Sequence, residues 1–338
     1  MATIIGCIAT SHGPQLHTTP EQWLLRIKAD KGRKHFFRDK PYSFEELVEL
    51  RKDEGLEDKS SSEAMRLSHA RCEVAQQKMA DVWDRWGADC AVILGNDQHE
   101  IYGNDLMPPF MVYYGEKISH YPSSEEGRAM LPPGIAEAEH GHAPEEFTEY
   151  EAMPDLAMHV IDHLNDTGFD ITVSPELPTH NPKNNGISHA FGHIYRQVMR
   201  DNVVPNLPIY QNTFFPPNQP RAKRSFEFGL RVGEAIRSWD SDKKIVVFGS
   251  GGMSHFCIDE DWDARFMKAM VAKDNDYLTS IPLPELQAGT SEMKTWISLA
   301  GVMNPMQMEF HEIDYVPCYR TPAGTGTAQG FYYWTPKA

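Results

Sequence analysis

The sequence predicts an α/β fold, a central sheet flanked by helices, and three observations carry that expectation. Short apolar runs, Ile4-Ile5-Gly6-Cys7-Ile8-Ala9, Cys90-Ala91-Val92-Ile93-Leu94 and Ile245-Val246-Val247-Phe248, have the length and continuity of strands covered on both faces. Segments of helical spacing lie between them. In the second half the two kinds of element alternate regularly, which is the pattern of a sheet with helices on its faces.

Taken in order, a strand from about Thr3 to Ala9 leads into a long polar and helical passage from His12 to about Trp86. Within it Ser43 can cap a helix start, with Glu46 three residues on closing a capping box. From Ser62 to Trp86, Met65, Ala70, Val74, Met79, Val82 and Trp83 form an apolar stripe at helical spacing, and Gly87 ends it. Cys90 to Leu94 is a central strand followed at once by the polar loop Gly95-Asn96-Asp97-Gln98-His99-Glu100. Phe110 to Tyr114 reads as another strand. Residues 119–150 are rich in Gly, Pro, Glu and His and predict a long loop or lid over one face. Then come a helix near Pro154 to Asp166, a strand near Phe169 to Val173, a helix after Gly186, a strand near Pro208 to Gln211, a helix from about Ser225 to Trp239 and the strand Ile245 to Phe248. With no internal repeat and no low-complexity linker, residues 1–338 read as one domain that carries a helical insertion at 13–86.

Composition excludes several classes. A formal charge of −16 repels phosphate backbones, so no nucleic-acid partner is expected, and the short basic stretch Lys28 to Lys40 reads as a solvated face. No apolar stretch approaches the roughly 20 residues that span a bilayer, and Met1-Ala2-Thr3-Ile4 lacks the pattern of a signal peptide; a cytoplasmic protein without a membrane partner is expected. Cys7, Cys72, Cys90, Cys257 and Cys318 are odd in number and contain no C-x-x-C pair, as for reduced thiols filling a core.

Three stretches stand out chemically: Thr10-Ser11-His12-Gly13-Pro14, Gly249-Ser250-Gly251-Gly252-Met253-Ser254-His255 and Thr290-Ser291-Glu292-Met293-Lys294-Thr295-Trp296. His12 and His255 each follow a strand, where an open sheet presents its ligand site. Glu292 stands in the first turn of a helix, which stabilises a carboxylate by the macrodipole alone but also aims an anionic oxygen into a cleft. Two histidines and a carboxylate are the ingredients of a non-haem Fe(II) centre with open positions. His189 and His193, four residues apart, read as a zinc pair, two bystanders, or one catalytic and one packing histidine.

In these motifs the chain resembles the class III extradiol ring-cleaving dioxygenases. The resemblance runs from Thr3 to about Gly301 outside the insertion and rests on Ser11-His12, Val92 to Asp97 with Met107-Pro108-Pro109-Phe110, Ser188-His189-Ala190-Phe191, Phe248 to His255, and Glu292 to Trp296. It implies a single catalytic domain with a central mixed sheet, Fe(II) as cofactor, His12 and Glu292 as metal ligands, His255 as the acid/base and His189 as a second catalytic histidine. Asn212 to Pro217, with Arg224, matches the substrate-side loop. The position reserved for a second histidine ligand holds Gln98, with His99 one step later. Imidazole is a far better Fe(II) ligand than a neutral amide, so a one-residue bulge is expected to turn His99 to the metal. The implied reaction opens the ring of a catecholic acid of protocatechuate, gallate or 3-O-methylgallate type with O2, in a homo-oligomer such as a dimer. Gln98 keeps open a metal-dependent hydrolase or decarboxylase on the same scaffold; a non-catalytic binding protein is the third class.

Overall fold

Cys90, Val92 and Leu94 point into one apolar layer while Ala91 and Ile93 point into another, and the same alternation sends Ile245 and Val247 one way and Val246 and Phe248 the other. Two-sided burial is why these strands read as unbroken apolar runs. The computed structural model describes residues 1–177 and 186–337. In chain order its strands are β1 (Thr3–Ser11), β2 (His35–Phe37), β3 (Lys40–Tyr42), β4 (Cys90–Gly95), β5 (Phe110–Tyr113), β6 (Lys117–His120), β7 (Thr148–Glu151), β8 (Thr172–Ser174), β9 (Asn206–Gln211), β10 (Lys244–Gly251), β11 (His255–Cys257), β12 (Met308–Tyr319) and β13 (Thr325–Pro336).

Nine strands among the described residues form one mixed sheet, ordered β11-β13-β1-β10-β4-β9-β5-β8, with β12 also on β13. β1, β10, β4 and β9 run parallel. β5 is antiparallel to β9, and β13 is antiparallel to β1, β11 and β12. Because β1, β4 and β10 are parallel and in register, the residues that follow Ser11, Gly95 and Gly251 emerge at one edge. That edge carries the site, as expected for the carboxyl ends of an open α/β sheet.

The helices Pro154–Asp166, Ala222–Ser238 and Met293–Met303 cover one face of the sheet, and Ser62–Trp86 covers the other. Met293–Met303 is buried along its whole length. It can lie this deep because Gly229 of the neighbouring helix has no side chain: a Cβ there would stand 1.7 Å from the Ser298 carbonyl oxygen.

Several elements differ from the sequence reading. Residues 13–86 are largely helical but also hold the β2–β3 hairpin. Residues 119–150 are not bare loop; they contain the short helices Glu125–Met130 and Ala136–Gly141 and most of the β6–β7 hairpin. The strand near Phe169 is the shorter β8, and the helix after Gly186 is a single turn, His189–His193, prolonged by a π-turn at Ile194–Val198. The hairpin β12–β13 was not anticipated. All five cysteines are free and buried. No helix among the described residues is long and apolar enough to cross a membrane.

Candidate metal centre

His12 leaves β1 with its backbone N–H still donating to Gly251 O, 3.1 Å away, so the sheet itself fixes where the imidazole starts. Ser250 fixes its tautomer. The single hydroxyl proton of Ser250 goes to Ala190 O at 2.6 Å, so Ser250 Oγ must accept from His12 Nδ1 at 2.9 Å. In the neutral ring His12 Nε2 is then the unprotonated nitrogen. It lies 3.2 Å from Glu292 Oε2 and finds no hydrogen-bond partner, although the residue is buried.

Glu292 ends a tight turn, Ala288–Glu292, that runs into the buried helix. Its Oε1 accepts from Asn96 Nδ2 at 3.1 Å and from Gln98 Nε2 at 3.2 Å. Burial works against its charge, yet His12 and His255, in their protonated forms, hold the carboxyl well below the usual range. Burial pushes the His12 imidazolium down further than Glu292 restores it. A neutral imidazole lone pair thus faces a carboxylate oxygen away from water. Two lone pairs at that separation repel, and a cation between them satisfies both, so the residues present fit a divalent metal.

His255 opens β11. Its Nδ1 donates to Met253 O at 2.7 Å, leaving Nε2 as an acceptor 3.6 Å from Glu292 Oε2. The ring fits only because two neighbours are glycine: a Cβ on Gly289 would lie 1.9 Å from His255 Cδ2, and one on Gly252 2.8 Å from Cε1. His189 begins its helical turn with both its backbone N–H and its Nδ1 donating to Glu100, each at 2.8 Å. Burial lowers its basicity, but the Glu100 carboxylate outweighs that and raises it to about 9. Its ring stands edge-on to His12 at 4.6 Å, and His12, His189 and Glu292 can each turn a ligand atom to within 4.8 Å of the others. A carboxylate holding the far nitrogen of an imidazole is the usual support of a metal-bound histidine.

His99 does not reach this group, contrary to the bulge expectation. β4 ends at Gly95, and the loop after it folds around the Asp97 carboxylate, which accepts from the backbone N–H groups of His99, Ile101 and Tyr102. That wrapping puts His99 in the left-handed region, at φ 63°, and turns its ring outward. Its Nδ1 bonds Tyr102 O at 2.8 Å and its face stacks on Phe215 at 3.6 Å. Gln98 takes the inward position instead. None of residues 212–217 lines the cavity over this group, and Arg224 lies over the Phe169 ring.

A cavity of about 300 Å³ opens above the centre, floored by His12, Gln98, Glu100, His189, His255 and Glu292. Its far wall comes from the insertion, through Trp23 and Arg26, and from residues 131–142. Sequence reading missed Asn96, Glu100 and Gly289. The signal for the first two was the dense polar run after an apolar strand; Gly289 left none.

Fold and donor chemistry together describe an α/β protein with a His12, His189 and Glu292 group that could hold a metal ion at the carboxyl edge of its sheet. Its sequence then assigns it: the chain belongs to the family described as the catalytic LigB subunit of aromatic ring-opening dioxygenase, whose profile matches residues 89–327. A 2,3-dihydroxyphenylpropionate/2,3-dihydroxicinnamic acid 1,2-dioxygenase of Rhodococcus globerulus is 30% identical over 167 residues, 49% of this chain and 43% of that one. The corresponding enzyme of Comamonas testosteroni is 27% identical over 164 residues, 48% and 42%. A gallate dioxygenase of Pseudomonas putida is 28% identical over 109 residues, 29% and 32%. The matched stretches thus span less than half the length of these relatives. An uncharacterized Escherichia coli K12 protein of solved structure aligns at TM-score 0.43 and 12% identity over 77% of this chain and 91% of that one, too distant to add to the assignment.

Proposed function

We propose that this protein is a non-haem Fe(II)-dependent extradiol dioxygenase that opens the ring of a catecholic aromatic acid with O2. The observation that carries the reading is the unprotonated Nε2 of His12 facing the ionised Glu292 at 3.2 Å beneath a cavity, in a chain of this family. His12, Glu292 and His189 would hold the metal, His189 replacing the ligand that His99 does not supply. Fe(II) bound there supplies a Lewis acid that makes a phenol more acidic and an electron donor toward O2.

The chain's own residues do the rest. His255, with Nδ1 committed to Met253 O, offers Nε2 as the base for a diol proton and can return that proton later. Asn96 and Gln98 hold Glu292 Oε1 so that Oε2 alone faces inward. Leu131, Pro132, Ile135 and Ala138 supply an apolar wall for a flat ring and limit water.

Gln98 also favours a second reading, a hydrolase or decarboxylase using another divalent ion, because its amide occupies the inward position where the resemblance reserves an imidazole. Anaerobic loading with Fe(II), then oxygen uptake and formation of a yellow ring-opened product across a panel of catechols, tests the first reading. No uptake with any catechol, together with metal-dependent loss of carbon dioxide or hydrolysis, would replace it with the second.

A further inference from the structure

The far end of the cavity is cationic although the chain as a whole is strongly acidic. Arg26 and Arg33 are both held below their ordinary basicity, first by burial and then by the nearby Arg320 charge, and one buried carboxylate, Asp30, serves the group. Arg320 grips it with two bonds, Nε to Oδ2 at 2.7 Å and Nη2 to Oδ1 at 2.9 Å, and Arg33 Nη2 reaches Oδ1 at 3.2 Å. Arg26 is left over. Among the described residues no carboxylate lies within ion-pair distance of it, and its Nη1 donates to Pro133 O at 3.2 Å. Its stem is fixed by the 132–135 turn, where a Cβ on Gly134 would stand 2.8 Å from Arg26 Cδ.

The other charged groups on the cavity wall are matched. Glu100 is held by His189, Glu139 by His142 and Ser123, and Arg320 by Asp30, while Glu292 takes Asn96 and Gln98 on Oε1 and turns Oε2 to the metal donors. Trp23 spends its indole N–H on Gln15 O and Thr18 O, so it offers the cavity an apolar surface. The space therefore has metal donors at one end, apolar walls, and an unmatched guanidinium at the other.

We propose that Arg26 is the specificity residue for an aromatic monocarboxylate, pairing with the substrate carboxylate while the diol faces His12 and Glu292. This rests on the catechol reading above. A planar guanidinium matches a carboxylate geometrically, and an uncharged substituent loses that pairing.

The test is calorimetric binding of 3,4-dihydroxybenzoate and 3,4-dihydroxybenzamide to the Fe(II)-loaded protein under argon, so that affinity is read without turnover. Wild type should prefer the acid by about 10- to 100-fold, the range of a charge-assisted pair. Arg26→Met should erase the preference by weakening the acid alone, and Arg26→Lys should restore part of it. Equal affinity of wild type for acid and amide, no binding of the acid, or equal weakening of both by Arg26→Met would overturn the proposal. Oxygen uptake on the same samples separates the two readings. Arg26-dependent preference without ring opening would sink only the dioxygenase reading, whereas ring opening of acid and amide at equal kcat/KM in wild type and Arg26→Met would sink only the role of Arg26.

Discussion

Gln98 Nε2 donates to Glu292 Oε1 at 3.2 Å, which makes a neutral amide the support of the buried carboxylate at the position where an imidazole ligand was expected. The neighbouring His99 is spent on Tyr102 and Phe215. Replacing His99 by Ala should leave metal stoichiometry unchanged and lower stability by about 1 kcal/mol, for a lost hydrogen bond and ring contact. Gln98→Ala should instead weaken metal affinity by roughly tenfold, because a supporting bond to a ligand is lost. Elemental analysis after dialysis reads both; metal loss in the His99 variant would return it to the ligand set.

His12→Ala and Glu292→Ala should each abolish metal binding with the far-ultraviolet circular dichroism unchanged. In wild type, added Fe(II) should raise the Tm, since a ligand bound only by the folded state stabilises it. Neither variant should show that rise. A normal rise in either would remove that residue from the centre.

If His189 supplies the third donor, as proposed above, His189→Ala should lose metal as the first two variants do. If it keeps full metal but loses turnover, His189 is a proton donor rather than a ligand.

His255→Gln should retain metal while kcat falls on the order of 10²–10⁴-fold, the usual effect of removing a general acid/base. Gly289→Ala offers an independent check, because its methyl group would overlap His255 Cδ2 and force the ring to move. It too should keep metal and lose turnover. Loss of metal in step with activity in both would show His255 to be a ligand.

Asp263 provides the pH prediction. It is buried, and burial raises its carboxyl from 3.8 to about 7 against the bonds donated by Ser254 and Tyr315. A carboxyl with a raised folded-state pKa binds its proton more tightly when folded, so stability falls as pH rises from about 4 to about 7 and is level above. Relative to Asp263→Asn, wild type should therefore lose on the order of 3–5 kcal/mol across that interval in urea unfolding of the metal-free protein. A difference that stays constant with pH would contradict the assignment.

The sequence by itself determined the parts governed by local chemistry. Ser62–Trp86 and Pro154–Asp166 form where helical spacing and their end residues placed them. β4 and the core of β10 formed because a strand covered on both faces must be apolar at every position. His12, Glu292 and His255 were legible because strand ends and a helix start carried them, and His189 joined them only through the family resemblance. The β12–β13 hairpin was missed because its residues mix polar and apolar along a strand covered unevenly, so no clean period appears.

Only the tertiary structure decided which of two adjacent side chains faces the centre. Three backbone N–H groups closing on the Asp97 carboxylate send Gln98 inward and His99 out, a choice made by the turn geometry rather than by the ligand strength of either residue. Long-range packing likewise set the tautomer of His12 through Ser250 and Ala190, 238 and 178 residues along the chain, and brought Arg26 of the insertion over the same cavity. Such contacts join segments that share no local pattern, and the sheet that brings them together exists only once the chain has folded.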